Sequence, residues 1–400
     1  MSMDIKEISD RTFRELVTNN DDLSILTHKL NSLEFSDIKK LEDVSYFTLL
    51  NSEIGQDRNN RVSEELIEHF WKYISQVPFP SPIKEKFTFI DLFAGVGGFR
   101  LALQNLGGKC VFSSEWNEDA KLTYWENFGE IPYGDITLSK TKDLIPEKFD
   151  ILCAGFPCQA FSIAGQQKGF ADTRGTLFFE IEQIVQAHRP KVVLLENVKN
   201  LVSHDKGKTF RIIINSLEEK LGYQTFAKVL NTATHANIPQ NRERIFIVGF
   251  DKSVDINYSD FTFPNLLPLS KSIHDIIDHE KQHDSYYYKS DHPYYNILSK
   301  EVTSKDTIYQ WRRVYVRENK NNLCPTLTAN MGLGGHNVPI IIDDYGIRKL
   351  TEKECFAFQG FPTDKFQLPK MAKSKLYLQA GNSVTTPLIE RIAKSILEVL

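Results

Sequence analysis

Short apolar runs that alternate with helical stretches dominate the chain from residue 87 to about residue 263. The runs are rich in Val, Ile, Leu and Phe, which is typical of strands buried on both faces. Alternation of this kind predicts an α/β protein with a parallel, doubly wound sheet that binds ligands at the carboxyl ends of its strands. The predicted strands are 87–93, 110–114, 150–155, 191–195, 224–230 and 244–250.

Two other parts of the chain lack this alternation. Residues 1–82 are polar, acid-leaning and helix-patterned, and they end in a proline-rich break. We expect a helical N-terminal extension there, either an appendage packed on the next domain or an arm that binds DNA or a partner. The stretch after 263 is rich in Tyr, His, Asn, Lys and Arg. We therefore expect a catalytic domain at 83–263, completed by 375–400, and a smaller, irregular domain at 264–374.

Composition excludes several classes of protein. A formal net charge of −4 argues against a uniformly basic nucleic-acid coat, although a local basic patch can still bind phosphate. No apolar stretch approaches the length of a membrane span, and the acidic first residues lack a signal core. The cysteines form neither a C-x-x-C pair nor a zinc pattern, which predicts a reducing compartment with no disulfide and no metal. We expect a soluble, cytoplasmic protein.

A glycine turn closes the first predicted strand and opens a helix, as in cradles for nucleotides. Its spacing is not that of the dinucleotide fingerprint, which weakens a nicotinamide interpretation. Glu115, at the end of the second strand, can accept hydrogen bonds from both hydroxyls of a ribose. Asp135 can accept from an adenine amino group, and Trp116 and Phe93 offer aromatic faces. Together they predict a cofactor that contains adenosine.

Cys158 follows Pro157 in a polar loop after the third predicted strand. A lone cysteine is most often a small buried hydrophobe, and Cys153, inside the strand, fits that description. Cys158 does not, because its neighbours are proline and glutamine. As a thiolate, it has the chemistry to attack an electron-poor carbon such as C6 of a pyrimidine.

Three charged residues follow at the same predicted sheet edge. Thiolate addition to cytosine puts negative charge on N3, and the carboxyl group of Glu196 can protonate or hydrogen-bond that atom. Arg242 and Arg244 share a face of the last strand, so one of them can hold the cytosine O2 or a phosphate. Taken singly, Glu196 is also compatible with a surface carboxylate that caps the next helix, and the arginines with solvated side chains at the start of a strand.

The ordered motifs resemble those of the bacterial DNA cytosine-5 methyltransferases of type II restriction–modification systems. The resemblance extends from about residue 87 to residue 400. It rests on Asp91-Leu-Phe-Ala-Gly-Val-Gly-Gly-Phe, Gly155-Phe-Pro-Cys-Gln-Ala-Phe-Ser, Glu196-Asn-Val, Gln240-Asn-Arg-Glu-Arg, Leu350-Thr with Glu354-Cys and Gln359-Gly-Phe-Pro, and Gly381-Asn-Ser-Val.

The resemblance implies a Rossmann-like domain that transfers methyl from S-adenosylmethionine, leaving S-adenosylhomocysteine, to C5 of a flipped-out cytosine, without a metal. It implies that Cys158 is the nucleophile and Glu196 the N3 acid, with Arg242 and Arg244 at the base. The implied cofactor residues are Phe93, Ala94, Gly95, Gly97, Gly98, Glu115, Trp116, Asp135, Ile136, Pro157, Leu177, Asn382 and Ser383.

Sequence reading is expected between residues 244 and 350, where the family has its target-recognition domain. Arginines interleave with aromatic residues there, and arginine is the commonest reader of guanine; a solvated basic strand is the alternative. The expected DNA-binding residues are Gln159, Ser162, Arg312, Arg313, Arg317, Gly334 and Gly335. We expect a monomer that acts on double-stranded DNA in a prokaryotic cytoplasm, nucleoid-associated when bound, and is paired with a restriction endonuclease.

Two rival functions stay open. An RNA cytosine-5 methyltransferase could use the same framework, although the long stretch 251–345 favours an enzyme that reads duplex sequence. A catalytically silent DNA-binding protein could keep the fold, although every expected chemical residue is present. A dehydrogenase is disfavoured because a cysteine–glutamate pair serves no hydride chemistry.

Overall fold

The computed structural model describes residues 24–25, 27–28, 31, 74–157, 177–312, 314–333 and 337–400. Six residues predicted for the site lie outside the described residues: Cys158, Gln159, Ser162, Arg313, Gly334 and Gly335.

A six-stranded sheet with strand order β2-β1-β3-β4-β7-β5 forms the centre of the fold. The first seven strands along the chain are β1 (Phe87–Leu92), β2 (Gly108–Ser114), β3 (Ile151–Gly155), β4 (Val192–Val198), β5 (Tyr223–Asn231), β6 (Gln240–Asn241) and β7 (Glu243–Asp251). All six predicted strands are present, with bounds within a few residues of those predicted.

One strand runs against the predicted direction. Neighbours among β1 to β4 are parallel, but β7 pairs antiparallel with both β4 and β5. The reason is the short link between Asn231 and Glu243. A parallel crossover needs a connection of a dozen or more residues, whereas antiparallel neighbours can be joined by a shorter one.

Helices cover both faces of the sheet. They are α1 (Gly98–Asn105), α2 (Glu118–Phe128), α3 (Ser139–Lys142), α4 (Leu177–His188), α5 (Lys208–Asn215) and α6 (Thr232–His235). Side chains of α1 and α2 join one buried apolar cluster, and those of α4 and α5 join the other. In β1, Phe89 faces the first cluster and Ile90 the second, as alternation along a strand requires. The doubly wound α/β class is confirmed.

The part after residue 263 is more regular than predicted. It contains α7 (Tyr295–Glu301), β8 (Tyr309–Arg312), β9 (Tyr315–Glu318), β10 (Cys324–Pro325), β11 (Ile340–Asp343) and β12 (Gly346–Lys349). Four of these strands form an antiparallel sheet, β12-β11-β8-β9, around a small apolar cluster that includes Leu298 and Trp311. β8 does alternate, with Tyr309 and Trp311 buried and Arg312 exposed, but four residues are the shortest run from which a strand can be predicted.

The chain returns to the large core earlier than residue 375. The last helices are α8 (Glu352–Phe358), α9 (Lys373–Asn382) and α10 (Thr386–Leu397). Phe356 and Phe358 of α8 pack in the same apolar cluster as Leu388 and Ile389 of α10. The domain boundaries themselves stay predictions. In the part of the chain that the structure describes, no helix is both long and apolar enough to cross a bilayer.

The turn before α1 offers a test of local packing. Gly95 and Gly97 both have positive φ, +56° and +84°. A Cβ at Gly97 would lie 2.3 Å from Phe128 Cε2, whereas a Cβ at Gly95 would meet no atom within 4 Å. Gly97→Ala should therefore be less stable than Gly95→Ala by about 1–3 kcal/mol, the usual effect of overpacking. Urea unfolding of both variants measures this; equal losses would show that backbone strain alone matters.

Candidate active site

The carboxyl ends of β1, β2, β3 and β4 meet at one edge of the sheet, and the predicted site residues follow them. Phe93 comes after β1, Glu115 after β2 and Pro157 shortly after β3, while Glu196 lies near the end of β4. The sheet topology thus brings together four segments that are far apart in sequence.

Glu115 is held in place by the backbone of two neighbouring turns. Its Oε2 accepts a hydrogen bond from Gly95 N at 2.8 Å, and its Oε1 accepts from Asn117 N at 2.7 Å. Burial raises the pKa of the Glu115 carboxyl, although these amides work against the increase. Each carboxylate oxygen has a second lone pair, so the group can still accept from ligand hydroxyls.

Trp116 and Asp135, two other residues predicted to bind the cofactor, are exposed to solvent. Trp116 is 76% exposed, which is unusual for tryptophan and leaves the face of the indole free to stack on a ring. Asp135 is exposed and accepts from Thr137 N at 2.9 Å. Together with the open turn at Gly95, this set of donors, acceptors and aromatic faces fits an adenosine-containing ligand.

The C-terminal loop completes this end of the site. A Cβ on Gly98 would lie 2.6 Å from Val384 Cγ2 and 3.4 Å from Ser383 Oγ, so the loop after α9 packs directly against the start of α1. Ser383 is buried there and Asn382 is exposed. Of the other predicted cofactor residues, Ala94 and Ile136 are buried, Leu177 is half-buried and Pro157 is exposed.

Glu196 and Arg244 form an ion pair across the antiparallel strands. Arg244 is opposite Val198 in the β4–β7 register, which puts it two residues from Glu196 on the same face. Arg244 Nε lies 3.0 Å from Glu196 Oε1, and both side chains are largely buried. Gly155 of β3 is opposite Glu196, and its missing side chain leaves space beside Oε2. The structure therefore places a carboxylate and a guanidinium next to the loop that leads to Cys158.

Asn197 is a residue of this site that the sequence interpretation gave no role. Its Nδ2 donates to Phe156 O at 2.8 Å, and its Oδ1 accepts from Val198 N at 2.8 Å. It thereby ties the end of β4 to the backbone two residues before Cys158. The only sequence signal was its place inside the Glu196-Asn-Val motif.

Arg242 has a different environment from Arg244. It is fully buried, and its guanidinium donates to the carbonyl oxygens of Leu327 at 2.8 Å and Ser383 at 2.6 Å. Burial, together with the nearby Arg244, lowers its pKa well below the usual range, and the Glu196 carboxylate opposes this only in part. These contacts brace the C-terminal loop against the 324–333 segment. A role of Arg242 at the base stays a prediction.

A cleft of about 230 Å³ opens beside the ion pair. It is lined by Val198, Lys199, Asn200, Asn241, Glu243, Arg244 and Thr326. Farther along the chain, Arg312 and Arg317 on the β8–β9 hairpin are exposed and share the side-chain oxygen of Gln310. Within the described ranges, no three His, Cys, Asp or Glu side chains are arranged to hold a metal ion.

Known proteins resemble the chain over most of its length. The family model for C-5 cytosine-specific DNA methylases matches residues 87–398. The type II methyltransferase M.Bsp6I of Bacillus sp. (strain RFL6) is 51% identical over 311 residues, which cover 76% of this chain and 97% of that protein. M.HpaII of Haemophilus parainfluenzae, another type II methyltransferase, is 46% identical over 332 residues, covering 80% and 91% respectively.

Solved structures agree on the fold. A mutant of DNMT2 from Spodoptera frugiperda superposes with a TM-score of 0.59 at 18% identity, over 78% of this chain and all of that one. A putative DNA modification methyltransferase encoded in an E. coli prophage gives a TM-score of 0.55 at 23% identity, over 78% and 99%.

The hydrogen bond that joins Asn197 of β4 to Phe156 after β3 can be tested by measuring the stability of variants. Asn197→Ala leaves the buried carbonyl of Phe156 without its donor, which costs about 1–3 kcal/mol. Asn200→Ala, an exposed asparagine nearby, should change the free energy of unfolding by less than about 0.5 kcal/mol. Chemical denaturation gives the free energy of unfolding of both variants. Equal values would mean that the hydrogen bond from Asn197 to Phe156 does not stabilise the fold.

Proposed function

The chain belongs to the C-5 cytosine-specific DNA methylases and is a DNA cytosine-5 methyltransferase, and from this we infer that Cys158 is its nucleophile and Glu196 its acid. The observation that carries the assignment is the Glu196–Arg244 pair at 3.0 Å, held beside the loop that leads to Cys158. A carboxyl group oriented by a guanidinium is the equipment that proton transfer to a ring nitrogen requires.

Addition to the base is the first chemical step. The thiolate of Cys158 forms a bond to C6 of cytosine, and the electron pair displaced from the C5–C6 double bond is stabilised when Glu196 protonates or hydrogen-bonds N3. Arg244 keeps the Glu196 carboxylate in position and can donate to the O2 of the base.

Methyl transfer and elimination complete the reaction. S-adenosylmethionine, when bound, supplies the methyl group as an electrophile on its sulfonium. C5 of the cytosine would take this methyl group as the bond between the methyl carbon and the sulfonium sulfur breaks, leaving S-adenosylhomocysteine. A general base then removes the C5 proton, and the C6–S bond breaks to release the thiolate of Cys158.

The cofactor residues act by orienting the adenosine. We assign Glu115 to the ribose hydroxyls, Trp116 to the face of the adenine and Asp135 to its amino group. The glycine turn at Gly95 and Gly97 leads into the start of α1, and helix N-termini bind the anionic groups of nucleotides in many proteins. The C-terminal loop of Asn382 and Ser383 closes the other side of this pocket.

The substrate is cytosine in duplex DNA, and it has to leave the helix to reach Glu196. Unstacking costs a few kcal/mol, which protein contacts to the displaced base and the backbone must offset. We assign those contacts to Gln159 and Ser162, to the arginines of the β8–β9 hairpin, and to the glycines at 334 and 335. Arg312 and Arg317 are exposed, as contact with DNA requires.

The cellular setting is inferred from the relatives, which are type II methyltransferases of bacteria. We propose that the protein acts as a monomer in a prokaryotic cytoplasm and protects DNA from a companion restriction endonuclease. Bisulfite sequencing of DNA from expressing cells would identify the modified context that such a nuclease has to share.

The nucleophile is tested with Cys158→Ser. Loss of the thiolate should lower transfer of labelled methyl into duplex DNA by about 10⁴-fold or more, because a serine hydroxyl at neutral pH is a far weaker nucleophile. DNA binding should be retained, and tRNA should accept no label from the wild type. Residual transfer within tenfold of wild type would refute the role of Cys158.

Covalent trapping provides the matching control. A cognate duplex that contains 5-fluorocytosine has no C5 proton to remove, so the adduct through Cys158 should persist after denaturation when the methyl donor is present. Cys153→Ser, which changes a cysteine buried in β3, should form the adduct as the wild type does. An adduct that survives in Cys158→Ser would assign the chemistry to another residue.

Cofactor affinity should depend on pH through Glu115. Burial raises the pKa of Glu115, so the ionised form that accepts two hydroxyls is lost at a higher pH than for an ordinary glutamate. Calorimetric binding of S-adenosylhomocysteine between about pH 8 and about pH 5 should therefore weaken as the pH falls. In Glu115→Gln, binding should be weaker throughout and independent of pH; an unchanged pH profile in this variant would exclude Glu115 as its source.

A further inference from the structure

The N-terminal extension makes ordered contacts with the rest of the protein at Ser24, Thr27, His28 and Asn31. Ser24 Oγ donates to Pro132 O at 3.3 Å, and Thr27 Oγ1 accepts from Ile131 N at 3.1 Å. These helical residues precede the part of the chain that the family model matches, so the contact is an addition to the shared core.

The contacts follow the backbone of a single loop, residues 129–133, after α2. Asn31 Nδ2 donates to Gly129 O at 3.0 Å, which adds a third hydrogen bond to main-chain atoms of that loop. The ring of His28 stacks on Tyr133 with centroids 4.1 Å apart and planes inclined by 21°. Tyr133 in turn stacks on Phe112 of β2 at 4.9 Å. The extension therefore holds both the backbone and the aromatic side chain of the loop.

Buried polar groups fix the position of His28. Its Nδ1 lies 2.8 Å from Ser24 O, and its Nε2 lies 3.3 Å from Ser113 N. Glu130, on the same loop, is 3.1 Å from Nε2 and 2.8 Å from Arg100 Nη1 of α1. Arg100 and Glu130 are almost completely buried, so this network has little freedom to rearrange.

The loop leads directly into the proposed cofactor pocket. Tyr133 N donates to Ser113 O at 2.8 Å, and Glu115 N donates to Tyr133 O at 2.9 Å. Tyr133 thus extends the sheet beside the end of β2 and anchors the backbone of Glu115. Asp135 follows two residues later in the same chain segment. Any displacement of Tyr133 has to displace the backbone of Glu115, or break their hydrogen bond.

We propose that His28 is a positioning residue for cofactor binding: by stacking on Tyr133, the N-terminal extension sets the positions of Glu115 and Asp135 and so determines the affinity for the adenosine moiety. The inference rests on the proposed roles of Glu115 and Asp135. It assigns the contacts of Ser24, Thr27, His28 and Asn31 to cofactor binding.

The first test is equilibrium binding of S-adenosylhomocysteine to the full-length chain by calorimetry. His28→Ala removes the ring and should raise the dissociation constant about tenfold, within the usual range of coupling between sites. His28→Phe keeps an aromatic ring against Tyr133 and should stay within about threefold of wild type. In steady-state assays, KM for S-adenosylmethionine should rise with the dissociation constant in His28→Ala, while kcat at saturation should change less than about twofold.

Leu298→Ala serves as the control for a general loss of stability. Leu298→Ala creates a cavity in the small apolar cluster around Trp311, far along the chain from the cofactor pocket. Its affinity for S-adenosylhomocysteine should equal that of the wild type. An unchanged dissociation constant in folded His28→Ala, or equal losses in His28→Ala and Leu298→Ala, would overturn the proposal.

A second measurement needs no variant. Coupling between sites is reciprocal, so S-adenosylhomocysteine should slow amide hydrogen exchange in peptides covering residues 24–31 of the wild type. No added protection there, with clear protection at Glu115, would refute a coupling to the extension and leave the proposed function intact. If the wild type binds no S-adenosylhomocysteine at all, the proposed function fails first, and the two failures are therefore distinguishable.

Discussion

The antiparallel pairing of β7 with β4 is the constraint on which the site depends. It brings the start of one strand beside the end of the other, and therefore brings Arg244 to Glu196 at 3.0 Å. A parallel β7 would have put Arg244 at the opposite edge of the sheet, far from the carboxyl ends of β1 to β4. The short link after β5 is what prevents that arrangement, so a local restriction on chain length decides where the guanidinium of the site lies.

Buried backbone carbonyls hold the second half of the site together. Arg242 donates to Leu327 O and Ser383 O, and so connects the C-terminal loop to the segment that precedes β11. A guanidinium offers five donors in a rigid plane, which lets one side chain satisfy carbonyls from two segments. Asn197 performs a comparable task for the loop after β3. Asn197 adjoins Glu196 and Arg242 precedes Arg244 by two residues, so both stabilise backbone next to the Glu196–Arg244 ion pair.

The extension and the shared core meet at a place that matters for ligand binding. His28, Glu130 and Arg100 form a buried polar network behind Tyr133, whose backbone anchors Glu115. The sequence left two interpretations of residues 1–82 open, a packed appendage or a binding arm. At Ser24, Thr27, His28 and Asn31 the structure describes a packed segment, and nothing in their sequence alone indicated which loop they would contact.

The order of motifs was enough to predict the α/β class, the six central strands, the family and the placement of Glu196 at the carboxyl edge, because period and turn residues are local properties of the chain. The direction of β7 was within reach of the sequence, since the length of the link after β5 is visible there. The sequence could not predict the hydrogen bonds of Arg242 to the carbonyls of Leu327 and Ser383, that of Asn197 to Phe156, or the contacts of His28. Each joins atoms separated by many residues, and only the packed chain determines which buried carbonyl or ring a polar side chain will meet.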